Sequence, residues 1–180
     1  MRLTAEEVAK IAGIKLCEAY RRQYGVNFIS GIPADAFGPH DNFDIEDSHV
    51  AAALIRKMHE AKEQGIKTVE IWGSGKPRRE FIFVDDLACG CIFVMDKYNE
   101  PQTINIGGGT DLSIRELAEI IKEVVGYQGE LHFNTEKPDG MPAKALDSTK
   151  LNRMGWHPET PLRAALSVTY DWFVKSLKSQ

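Results

Sequence analysis

Residues 72–86, WGSGKPRREFIFVDD, set two apolar runs on either side of a basic loop. Residues 68–72 alternate apolar with polar side chains and are rich in β-formers. Gly73, Gly75 and Pro77 break that run, and residues 80–84 resume it as a second strand. Strand, turn and strand at this spacing predict a hairpin, with Asp85 and Asp86 able to cap a helix behind it. The hairpin tip carries Lys76, Arg78 and Arg79 beside Trp72. Guanidinium forks match phosphate oxygens and an indole offers a stacking face, so this loop suits a ligand with a flat base and a charged diphosphate. A solvated turn with three surface cations has the same composition, and the loop alone leaves both readings open.

Working back from it, Thr4 and Glu7 have the spacing of a capping box. Val8, Ile11, Ala12, Leu16, Ala19 and Tyr20 then recur at helical spacing, and Gly25 supplies a stop. Residues 26–32 predict a short strand, and residues 33–48, with Gly38-Pro39 and many carboxylates, a long surface loop. Ser48 is placed to cap a helix over 50–64 that ends at Gly65. Forward of the hairpin, residues 87–98 are almost wholly apolar and predict a helix buried on most sides. A strand over 103–106 runs into Gly107-Gly108-Gly109, read as a turn because neither G-x-G-x-x-G nor a following acidic residue accompanies it. A second capping box, Ser113 with Glu116, opens an amphipathic helix that stops at Gly126. Residues 131–133 predict a strand, 137–140 a turn, 148–154 a short helix and 161–177 a last helix with Pro161 in its first turn.

Short strands separated by helices make the class α/β, and 180 residues fit one domain spanning 1–180. Hydrophobic residues at 43% and charged residues at 27% argue against disorder and against a coiled coil. A formal net charge of −4 gives no general attraction to nucleic acid. Three cysteines, Cys17, Cys89 and Cys91, lack the spacing of a disulfide framework or a zinc site, which points to a reducing compartment. Neither a signal peptide nor a membrane span is visible, so the expectation is a cytoplasmic protein.

Several segments in order go beyond generic pattern: residues 10–15 (KIAGIK), 38–43 (GPHDNF), 48–50 (SHV), 72–75 (WGSG), 79–81 (REF), 84–86 (VDD) and 137–140 (KPDG). Together they resemble the C-terminal part of the GDP-L-fucose synthases, within the extended short-chain dehydrogenase/reductases and the NAD-dependent epimerase/dehydratase family. The resemblance runs from about residue 8 to about residue 175 and implies the C-terminal portion of that fold. It further implies that the N-terminal Rossmann half, with its glycine loop, catalytic Ser and catalytic Cys, has no counterpart in the chain, which is then expected to be a truncated form. By the same resemblance His49 takes the position of a general acid, Lys10 that of the lysine in a Tyr-x-x-x-Lys pair, and Lys57, Trp72, Arg79 and Lys144 those of GDP-sugar contacts.

Where the resemblance calls for the tyrosine, four residues before Lys10, this chain has Glu6. A carboxylate with a reference pKa of about 4.3 is ionised at neutral pH, so it is a weak base for an alcohol and has no proton to return. Glu6 and Lys10 at this spacing instead form a favourable helix-surface ion pair. The family's NADP is therefore not expected on this chain alone. Two functional readings remain: a GDP-sugar-binding portion of an enzyme that catalyses only with a Rossmann-half partner, or a non-catalytic module for sugar-nucleotide sensing or homo-oligomerisation. A relic without selected function is a third.

Overall fold

The computed structural model describes residues 4–44 and 47–178. In chain order these form α1 (Ala5–Tyr24), β1 (Gly31–Pro33), β2 (Asp35–Phe37), α2 (Val50–Glu63), β3 (Thr68–Trp72), β4 (Arg78–Phe83) and α3 (Val84–Lys97). There follow β5 (Ile104–Ile106), β6 (Asp111–Ser113), α4 (Ile114–Val125), β7 (Glu130–Asn134), β8 (Ala143–Lys144), α5 (Thr149–Arg153) and α6 (Leu162–Leu177). The α/β class holds. Both predicted capping boxes form, Thr4 with Glu7 and Ser113 with Glu116, and Gly25 and Gly126 end their helices in the left-handed conformation. Among the described residues no helix is long and apolar enough to cross a membrane.

The predicted hairpin does not form. β3 pairs in parallel with β7, from Thr68 opposite Glu130 to Trp72 opposite Asn134, while β4 joins a different sheet in the order β2-β4-β6, with β8 also on β4. Only the β4–β6 pairing is antiparallel; β1 with β5 and β2 with β4 are parallel. The intervening loop carries two left-handed residues, Gly73 at φ 85° and Gly75 at φ 75°, followed by Pro77, and it turns the chain from one sheet to the next. A Cβ on Gly73 would meet Asp139 Oδ1 at 2.3 Å, and one on Gly75 the Phe133 ring at 2.5 Å, so space and dihedral both demand glycine here.

α2 buries Ala51, Ala52, Leu54, Ile55, Met58 and Ala61, one helical face, against a core built with β3, α4 and α6. Ala34, Ile82, Val94, Tyr98, Ile104, Ile106 and Leu151 form a second core beside α3. Burial of α3 is far less than expected: only Asp86, Gly90 and Val94 are buried, while Ile92 and Met95 lie 67% and 73% exposed. An apolar composition shows that a helix wants partners, and here the opposite face has none among the described residues. α1 is more extreme, with no buried residue and with Val8, Ile11, Leu16, Tyr20 and Tyr24 all exposed. Smaller corrections concern α2, whose N-cap is His49 rather than Ser48, and α3, whose N-cap is Phe83. Asp86 caps nothing on its own helix; its carboxylate accepts from the Glu159 and Thr160 amides.

Buried Glu80 holds three segments together. Its Oε1 accepts from Gly109 N at 3.1 Å and its Oε2 from Leu146 N at 2.7 Å, so strand β4 fixes both the loop after β5 and the chain after β8.

Candidate functional site

Strand alternation decides where Trp72 points. Val69 and Ile71 of β3 enter the core, so Thr68, Glu70 and Trp72 face outward, and Trp72 at the strand's end is 63% exposed. Lys57, on the half-buried flank of α2, brings its Nζ to 5.7 Å from the indole centroid. Lys137 Nζ approaches the same ring to 5.2 Å. Arg79 reaches the site from β4, its Nη1 donating to the Arg78 and Met141 carbonyls at 2.7 and 2.8 Å, which leaves Nε and Nη2 free for a ligand. Lys57, Trp72 and Arg79 thus border one cavity of about 300 Å³, whose floor includes Leu54 and Ile114 and whose rim is formed by residues 138–140.

That rim is tied down. Asp139 accepts from Ser74 N at 2.8 Å and from Ser74 Oγ at 2.7 Å, clasping the loop after β3 to the loop after β7. Hydroxyl and amide donation from Ser74 holds the Asp139 carboxyl below its usual range. From the other side Arg115 stacks over Phe133 at 3.6 Å and donates to the Ser74 carbonyl. Asp139 and Lys137 were legible as parts of a turn but not as parts of a site; the signal available was the K-P-D-G motif lying far along the chain from the basic loop.

The other expected site residues stand outside this cavity. Lys144 lies directly opposite Arg79 in the β4–β8 register, but its Nζ donates to Asp35 Oδ1 at 2.6 Å. His49 is the exposed N-cap of α2, one residue before Val50 on the cavity wall, and makes no capping hydrogen bond. Lys10 Nζ donates to Glu6 Oε1 at 2.6 Å on the open face of α1. That bond and the adjacent ammonium hold Glu6 below the usual glutamate range. Arg78 separates from Arg79: it pairs with Asp111 and Glu116 beside another cleft, of about 990 Å³, lined by Phe37, Phe81 and Leu112. Of the loop cations expected beside Trp72, Arg78 borders that larger cleft, whereas Lys10, His49, Lys57, Trp72, Arg79 and Lys144 do not.

Neither the glycine run after β5 nor Glu6 offers the contact that NADP or its proton relay would need. A Cβ on Gly108 would lie 1.8 Å from the Phe81 carbonyl oxygen and one on Gly107 2.2 Å from Ser148 Oγ, so this glycine run serves close packing rather than a pyrophosphate cradle. Glu6, already holding Lys10, supplies no phenol to share a proton with a sugar hydroxyl. Among the described residues no cluster of His, Cys, Asp and Glu could hold a metal ion.

Comparison with known proteins agrees with the geometry. GDP-L-fucose synthase 1 of Arabidopsis thaliana is 53% identical over 170 residues, 94% of this chain and 53% of that protein. The GDP-L-fucose synthase of Escherichia coli K12 is 49% identical over 178 residues, covering 94% of this chain and 56% of the relative. Among solved structures, a GDP-L-fucose synthetase of Naegleria fowleri bound to NADP superposes with a TM-score of 0.89 at 30% identity, over 96% of this chain and 56% of that one. A GDP-6-OMe-4-keto-L-xylo-heptose reductase of Campylobacter jejuni gives 0.87 at 36% identity, over 94% and 60%. The chain therefore spans about half the length of the curated relatives it matches. With residues 7–107 matching the model of the NAD dependent epimerase/dehydratase family, this chain belongs to that family.

Proposed function

We propose that this chain is the GDP-sugar-binding portion of a GDP-L-fucose-synthase-like protein and does not catalyse on its own. The observation that carries this reading is the convergence of Lys57, Trp72 and Arg79 on one cavity. An exposed indole offers a stacking surface for a base, and a guanidinium with free Nε and Nη2 suits phosphate oxygens. Two ammonium groups near the indole add positive charge where a diphosphate would lie. Lys10 pairs with Glu6, a carboxylate where the resemblance calls for a phenol, so this pair offers no proton shuttle.

A turnover assay tests the second half of the statement. Purified chain with NADPH and GDP-4-keto-6-deoxymannose is expected to oxidise no NADPH; turnover abolished by His49→Ala would overturn it. A second reading, self-association through α1, is favoured by the exposed stripe from Val8 to Tyr24 on a helix with no buried residue. On this reading the chain is a homo-oligomer, or a component that meets a Rossmann-half partner.

A further inference from the structure

The K-P-D-G segment, residues 137–140, follows a turn over 134–137 rather than forming the expected turn itself, and it borders the site. Asp139 and Pro138 border the cavity, and the Asp139–Ser74 clasp fixes the segment against the loop that carries Trp72. Lys137 closes the turn over residues 134–137, its amide donating to the Asn134 carbonyl at 3.2 Å. Its ammonium lies 5.2 Å from the Trp72 centroid and makes no ion pair among the described residues. Yet Lys137 is not part of the cavity wall, whereas Lys57, the other ammonium at this indole, is.

Size gives that difference a meaning. At about 300 Å³ the cavity stands at the low end of ligand pockets, which span about 300–1,000 Å³. A nucleoside or a sugar fills such a space; a whole sugar nucleotide does not, and the remainder must cross the mouth. The exposed Trp72 indole borders the cavity, and Lys137 lies beside that ring but off the cavity wall. The Asp139 carboxylate already accepts from Ser74 through both oxygens.

We propose that Lys137 is a specificity residue of this site, an ammonium that leaves the Trp72 face to contact a phosphate of the bound nucleoside diphosphate and so grades affinity by phosphate number. This rests on the reading of the cavity as a sugar-nucleotide site. The indole holds the ammonium by a cation–π contact, which is weak at exposed positions, so a phosphate can draw the ammonium away from the ring. A lysine is suited to this task because its long stem swings freely while Asp139 keeps the segment itself in place.

The test is a calorimetric series with guanosine, GMP and GDP on the wild-type chain and on Lys137→Gln and Lys137→Arg. Expected are an unchanged guanosine affinity, a GDP affinity lowered about tenfold by Lys137→Gln, as for loss of a charge-assisted hydrogen bond, and a substantial rescue by Lys137→Arg. Equal loss for all three ligands would make Lys137 a support for the indole alone, and no loss for GDP would remove it from the site; either overturns the proposal. If the wild-type chain itself binds no GDP, the reading of the cavity fails, and the proposal with it. Lys137 is exposed at a turn, so both variants fold.

Discussion

Removing Glu80 should loosen the sheet that presents Arg79, and the size of the effect follows from two hydrogen bonds. Glu80 is 5% exposed and accepts from the Gly109 and Leu146 amides. Glu80→Leu keeps the bulk but leaves both amides without an acceptor in a buried place, at about 1–3 kcal/mol each, so a loss of about 4 kcal/mol is expected. In a chain of this size each kcal/mol moves the thermal midpoint by about 2–4 °C, which gives a fall of roughly 8–16 °C in a melt followed by far-ultraviolet circular dichroism. Glu80→Gln retains one carbonyl acceptor and should lose about half as much, and it keeps the experiment informative if the leucine variant does not fold. A Glu80→Leu midpoint within about 2 °C of wild type would refute the reasoning, because it would mean that neither amide depends on the carboxylate.

Other outcomes follow from the same geometry. Gly108→Ala places a Cβ 1.8 Å from the Phe81 carbonyl oxygen, a backbone atom that cannot swing away, so a loss of roughly 3 kcal/mol or more is expected in urea unfolding; a neutral result would show that the loop can move. Asp139 titrates below its ordinary 3.8 when folded, so its contribution is present above that value and lost as pH falls through the lower folded pKa. Asp139→Asn should therefore lower the thermal midpoint more near pH 7 than in acid, where the carboxylate is progressively protonated; an equal shift at both would contradict the clasp. The exposed apolar surface of α1 predicts self-association at micromolar concentration by light scattering, reduced by Leu16→Glu with Tyr20→Glu; a monomeric wild-type chain would count against it.

Local chemistry was legible in the sequence wherever the determinants lie within a few residues of one another. Thr4 with Glu7, Ser113 with Glu116, and the stops at Gly25 and Gly126 all depend on contacts inside one turn of helix. The hairpin reading failed because strand partners are chosen by the whole fold: Trp72 pairs across to Asn134, and two left-handed glycines with Pro77 carry the chain off to another sheet. β2, β6 and β8, of three, three and two residues, are too short to show any period. In the site, Lys57, Trp72 and Arg79, which the resemblance gives as sugar-nucleotide contacts, border one cavity, whereas Lys144 is held by Asp35, a pairing between residues 109 positions apart that no motif displays. Lys137 and Asp139 escaped notice as site residues for the same reason, since only folding brings residues 137–140 against the basic loop.

The central claim is that the cavity beneath Trp72 and Arg79 binds a GDP-sugar. Calorimetric titration of the purified chain with GDP-mannose, beside NADPH and an Arg79→Ala control, tests it most directly. GDP-mannose binding, weakened at least about tenfold by Arg79→Ala as a charged hydrogen bond is lost, with no heat from NADPH, is the predicted result. No GDP-mannose binding, or binding indifferent to Arg79→Ala, would contradict it.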